Sequence, residues 1–135
     1  MASTAKYDPY EHADELGITI VYGRLRSGNG LWIPDFRTIA LQRGMRTVQE
    51  RSVLAHENAH ASLGHRDDRP KHEVLADRLA AEHMIDIERL RELVLWTPDV
   101  ARLSIELGVT PKLTQVYLNV HRHELPWPTD MPQVS

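Results

Sequence analysis

The hydrophobic pattern of this 135-residue chain changes period once, near Gly44, and that change sets its fold class. Before it, Ile18, Ile20 and Tyr22 alternate with Thr19, Val21 and Gly23. Ser27-Gly28-Asn29-Gly30 then supplies turn chemistry, and Leu31 to Ile33 makes a second extended run. Past Pro34-Asp35, Thr38 to Gln42 puts Ile39 and Leu41 on one side. A short helix over 8–16, closed by Gly17, precedes these strands. After Gly44 the repeat is helical. Thr47 is placed to cap a helix carrying Val48, Val53, Leu54, Ala55, Ala59, Ala61 and Leu63, which stops at Gly64. A second helix, from about His72 to Ile85, follows the polar turn over 65–71, and a third passes through Leu90 and Leu95. Thr97-Pro98 and Thr110-Pro111 mark two further starts, because Pro at the first helical position wastes no hydrogen bond. The expectation is an α+β fold: a small antiparallel three-stranded sheet over 18–42, then a helical bundle over 47–124. These form one domain over 1–125, with a Pro-rich tail over 126–135.

The chain has eight His and no Cys, so any metal must be held by imidazole and carboxylate, and a reducing, cytoplasmic setting is expected. The opening MASTAKYDPY has no apolar stretch that would target or anchor it in a membrane. With 16 basic against 19 acidic residues, a net charge of -3 argues against a protein that lives on phosphate backbones. Residues 98–120 have a helix, Gly turn, helix rhythm, yet between Pro98 and Glu124 the cations Arg102, Lys112 and Arg122 are matched by Asp99, Glu106 and Glu124. That neutral segment reads as core-covering helices, free to meet a protein partner, rather than as a direct nucleic-acid reader.

The segment that carries chemistry is His56-Glu57-Asn58-Ala59-His60, an HExxH motif inside the first long helix. Histidines four apart stand one above the other on a helix face, close enough to share one ion, with Glu57 beside them. A pair of solvated helical histidines satisfies the same spacing, so a third ligand is needed to decide. Glu73 and Asp77 form a second pair four apart, on a stripe that continues into Ala80, Ala81 and Met84. Two carboxylates turned toward a core side repel each other unless a cation or a histidine answers them. The turn after Gly64 brings their helix back antiparallel, which makes Glu73 the third ligand and Asp77 the carboxylate that orients a ligand histidine. An ordinary solvated pair flanked by Lys71 and Arg78 is the plainer reading of the same two residues.

HExxH answered by Glu73-Val74-Leu75-Ala76-Asp77 resembles the gluzincin class of zinc peptidases, and the whole layout resembles the ImmA/IrrE metallopeptidases, especially the compact forms of phages and mobile elements. The likeness spans Tyr7-Asp8-Pro9-Tyr10, the strand with Leu31-Trp32, the Leu54–His65 block and the Ala76–Ile85 block. Asn58 and Leu75 depart from the family's usual residues at their positions. The resemblance implies Zn2+ at His56, His60 and Glu73, with Glu57 as general base. It also implies a protein substrate, the helix-turn-helix repressor encoded nearby, whose cleavage relieves repression. A catalytically weak regulator that binds a partner through its C-terminal helices is the alternative. His65 is the best candidate for oxyanion stabilisation, although a histidine at a helix end also caps carbonyls. An extended substrate is expected to add as a strand along Thr38–Gln42. Of the other histidines, His72 reads as a loop or cap residue, His83 as solvated and His12 as partnerless. His121 and His123, two apart, share no helical face.

Overall fold

The computed structural model describes residues 6–128. Its elements are α1 (Pro9–Glu15), β1 (Thr19–Gly23), β2 (Gly30–Ile33), β3 (Thr38–Gln42), α2 (Thr47–Ser62), α3 (Pro70–Met84), α4 (Ile87–Leu93), α5 (Val100–Leu107) and α6 (Pro111–His121). Short 3-10 turns lie at Pro34–Phe36 and Arg122–Glu124. The fold class is α+β, as the change of period indicates. Of the Pro-rich tail, residues 129–135 lie outside the described residues, while Trp127 packs on the helical core and its indole N–H donates to the Arg122 carbonyl at 3.1 Å.

The sheet corrects the expected antiparallel meander. Its order is β1-β3-β2, with β1 parallel and β2 antiparallel to β3. Two causes are visible. The link over 24–29 is too long for the tight turn that pairs consecutive strands, and it steps past the end of β3 instead. The central place also goes to the strand with apolar residues on both faces: Ile39 and Leu41 inward, small Ala40 outward, all three buried. The edge strands keep one exposed row, Val21 and Leu31, in register with Ala40.

Helix α2 divides the core in two. Leu54 belongs to the sheet-side cluster with Ala13, Ile18, Ile39 and Leu41. Ala55 belongs to the helix-side cluster with Ala80, Ala81, Leu90, Leu103 and Leu118. Burial on both sides explains why α2 lacks a single apolar stripe, and alanines at Ala55, Ala76, Ala80 and Ala81 let α3 lie close to it. The N-terminal segment is fastened to the back of α2. Arg51 donates to the Tyr7 carbonyl at 3.0 Å, Tyr10 donates its hydroxyl proton to Glu50, and Asn58 donates to the Pro9 carbonyl at 2.9 Å. Asn58, the departure inside HExxH, is thus a fully buried tie to the opening segment.

Several boundaries differ from expectation. Thr47 is the first helical residue and Arg46 the cap; α3 starts at Pro70, two residues before His72. Near Thr97-Pro98 the cap is Asp99, which accepts from the Ala101 N–H at 3.2 Å, while Thr110-Pro111 caps α6 as read. Helix α6 spends its buried face, Leu113, Thr114, Tyr117 and Leu118, on the bundle. His83 is not solvated: its ring stacks on Tyr7 at 4.9 Å, and Tyr7 also hydrogen-bonds His12 Nδ1 at 2.6 Å, which gives His12 a partner. His121 lies between two carboxylates, with Nδ1 2.6 Å from Glu124 and Nε2 on Glu82.

Candidate metal centre

Helix α2 presents His56 and His60 one turn apart, with Nε2 atoms 3.1 Å from each other. Glu73 Oε2, from the first turn of α3, lies 3.4 Å from His56 Nε2 and in contact with His60 Nε2. Starting α3 at Pro70 is what puts Glu73 in that first turn, where the helix dipole also favours a carboxylate. One donor atom from each of the three residues lies within 4.8 Å of the others. Three lone-pair-bearing atoms converging in this way repel unless a proton or a cation sits among them. Two imidazoles and a carboxylate are the donor set of a hydrolytic zinc site, so the residues present fit that ion.

Each of the two imidazoles has its second nitrogen occupied. His56 Nδ1 is 2.8 Å from Asp77 Oδ1, and the other oxygen of Asp77 faces Lys112 Nζ at 3.6 Å. His60 Nδ1 is 2.9 Å from His65 Nδ1. His65 in turn stacks on His72, with ring centres 3.9 Å apart and planes 9° from parallel, and His72 Nδ1 is 2.7 Å from Asp67. His72 is therefore a helical residue against His65, not a loop or cap residue. Glu73 is less enclosed than its stripe suggested, with 42% of its side chain exposed, against 15% for Asp77.

Glu57, next to His56 in the sequence, is buried, and that burial pushes its carboxyl up to about 7. The nearby His56 and the Trp32 backbone N–H, which donates to it, pull the other way. Burial also works against charge on His56, but the Asp77 hydrogen bond and the surrounding carboxylates outweigh it and raise its proton affinity. For Asp77, burial is outweighed by the His56 hydrogen bond and by the charges of His56 and Lys112, which hold the carboxyl below its usual range. His60 shifts down through burial and the proximity of His56, and His65 through burial and His72.

A cleft of about 820 Å³ opens on this centre, bordered by Glu57, His60, His65 and Glu73 and by Leu31 and Trp32 of β2. A second, of about 410 Å³, adjoins it on the side of His56, Asp77 and Lys112, and Gly30, Glu57 and Glu73 line both. The expected docking of a strand along Thr38–Gln42 does not survive: β3 is central and both its edges are paired. β2 is the edge strand that borders the cleft.

Sequence reasoning named His56, Glu57, His60, His65, Glu73 and Asp77, and the structure brings all six together. It missed Lys112, which comes from a helix distant in the chain, and it took Gly30 for turn chemistry alone. A Cβ on Gly30 would lie 2.6 Å from Val53 Cγ1 and 3.0 Å from Glu57 Cγ, so only glycine lets β2 come this close to α2. The available signal was a glycine at the start of a strand pattern, which marks close backbone approach.

Among curated proteins none matches the chain. The family described as the IrrE N-terminal-like domain matches residues 13–119, running from α1 through α2 and α3, which carry the three donors, into α6. With a three-donor cluster of zinc type at the crossing of those two helices, the chain belongs to this family, the ImmA/IrrE metallopeptidases.

Proposed function

We propose that the protein is a zinc-dependent endopeptidase that cuts one site in a polypeptide, with a helix-turn-helix repressor encoded nearby as its substrate. The observation that carries the reaction is the convergence of His56, His60 and Glu73 on the wall of a cleft shared with the buried Glu57. Those three residues would hold the ion, which supplies Lewis acidity: it makes water a nucleophile near neutral pH and polarises a peptide carbonyl. The remaining work falls to the chain. Glu57 accepts the proton of the attacking water and returns it to the departing amine, a role suited to a carboxyl whose proton affinity burial has raised. The Trp32 amide holds that carboxylate in place, and Asp77 accepts a hydrogen bond from the Nδ1–H of His56 so that Nε2 stays turned to the centre.

An extended peptide would add along the free edge of β2, beside Gly30 and Trp32, which lays its backbone across Glu57. Membership of the family supports a protein substrate, the choice of a repressor rests on the resemblance read in the sequence, and the absence of Cys suits a cytoplasmic setting. No helix among the described residues is long and apolar enough to cross a membrane.

Incubation of the purified chain with the neighbouring regulatory gene's product should give two discrete fragments. Chelation, or Glu57→Gln, should abolish them, while Glu57→Gln protein keeps its zinc and its fold. Undiminished cutting by Glu57→Gln would overturn this assignment. Binding of the repressor without cutting by the wild type would favour the regulatory alternative.

A further inference from the structure

We infer that His65 is a positioning residue for His60, accepting the His60 Nδ1 proton on its own Nδ1 and so turning His60 Nε2 toward the ion; this rests on the metal reading above. The oxyanion contact that the sequence suggested for His65 is a different task, and the geometry favours the new one. Two imidazole nitrogens 2.9 Å apart hold one proton between them, so one ring donates and the other accepts. His60 Nε2 faces His56 and Glu73 and must offer its lone pair to a cation there. A neutral imidazole has one proton, which therefore sits on His60 Nδ1, with His65 as acceptor and its own proton on Nε2.

What places His65 there is the way α2 ends. Leu63 is the C-cap, Gly64 turns left-handed at φ 72°, and the His65 N–H returns to the His60 carbonyl at 3.0 Å while the Gly64 N–H bonds the Ala61 carbonyl at 3.2 Å. That is a Schellman stop, which brings the second residue past the cap against the third residue before it. The usual pair at those positions is two apolar side chains in contact. Here both are histidines, and one of them is a ligand. His65 is 7% exposed and its plane is set by the His72 ring, which Asp67 holds from the same turn. The acceptor is thus clamped from two sides before any ion arrives.

The test is zinc affinity by chelator competition, read with circular dichroism of the metal-free proteins. His65→Ala and the ring-filling His65→Phe, which has no acceptor, should each lose about 10- to 100-fold in affinity. His65→Asn, whose amide oxygen stands near the place of Nδ1, should recover most of it. A second reading needs no variant. In zinc-loaded wild type labelled with nitrogen-15, a scalar coupling should cross the N–H···N bond from His60 Nδ1 to His65 Nδ1, with the proton on His60. Wild-type affinity in His65→Phe, or no coupling in the loaded protein, overturns the inference and leaves the metal site standing. A wild type that binds no zinc overturns the metal reading beneath it.

Discussion

The two flanks of the candidate metal centre hold its two histidines by different means. On the α3 flank, His56 meets a carboxylate mounted mid-helix, Asp77, which Lys112 of α6 backs with a charge at 3.6 Å. On the turn flank, His60 meets a second imidazole, and that ring is held by stacking and by the hydrogen bonds of the 65–72 turn. A carboxylate accepts a hydrogen bond through either oxygen, so the first flank tolerates small displacements. An imidazole accepts through one nitrogen and in one plane, so the second works only if the turn is rigid. One helix thus carries a charged brace and a shape-dependent brace one turn apart.

The largest effect removes the ligands themselves. His56→Ala and His60→Ala should each abolish stoichiometric zinc in metal analysis of the purified protein; full retention after His60→Ala would break the symmetry of the pair and the ligand assignment with it. Next comes the charged brace. Asp77→Ala should weaken zinc by about 10- to 100-fold in chelator competition, comparable to the loss from His65→Ala. A loss confined to one flank would show that a single brace carries both rings.

Gly30→Ala tests the wall that the two clefts share. Val53 is β-branched and stiff within a helix, so the added methyl has little room to move into, and stability should fall by about 1–3 kcal/mol in a denaturant melt. Lys112→Met should matter less. Lys112 is 73% exposed, and a solvated ion pair is worth about 0–1 kcal/mol, so zinc affinity should drop by at most about fivefold, and the difference should shrink in high salt.

The smallest effect comes from a histidine that shares the His56 pairing without its task. His121 has a carboxylate on each nitrogen; burial disfavours its charge, but Glu82 and Glu124 outweigh that and raise its pKa. A group raised in the folded state contributes fully below its unfolded pKa of about 6.5, and the contribution is lost as pH rises through the folded value. Stability should therefore decline just above that pH, and His121→Gln should flatten this part of the profile. An unchanged profile would show that a histidine between carboxylates needs a ligand role to matter here.

Much of the centre was legible because its signals are local. His56 and His60 are four apart, as are Glu73 and Asp77, and helical geometry turns each interval into a shared face. The stop at Gly64 was also legible, but the pairing of His60 with His65 was not read from it, although a Schellman turn relates residues only five apart. Strand order was not, because the centre of a sheet goes to whichever strand has both faces covered, and that depends on what packs against them. The pattern over 38–42 shows Ile39 and Leu41 on one side but does not reveal that Ala40 faces a second row.

Taken alone, the chain's sequence determined the helix periods, the chemistry of the donors and the helix boundaries at Gly17, Gly64 and Thr110, all of which follow from backbone rules acting over a few residues. Only the tertiary structure decided that β2 is the edge beside the cleft, that Gly30 lies against Glu57 and that Lys112 reaches Asp77. These contacts join segments far apart in the chain. They are selected by the fit of whole surfaces around α2, which no local pattern encodes.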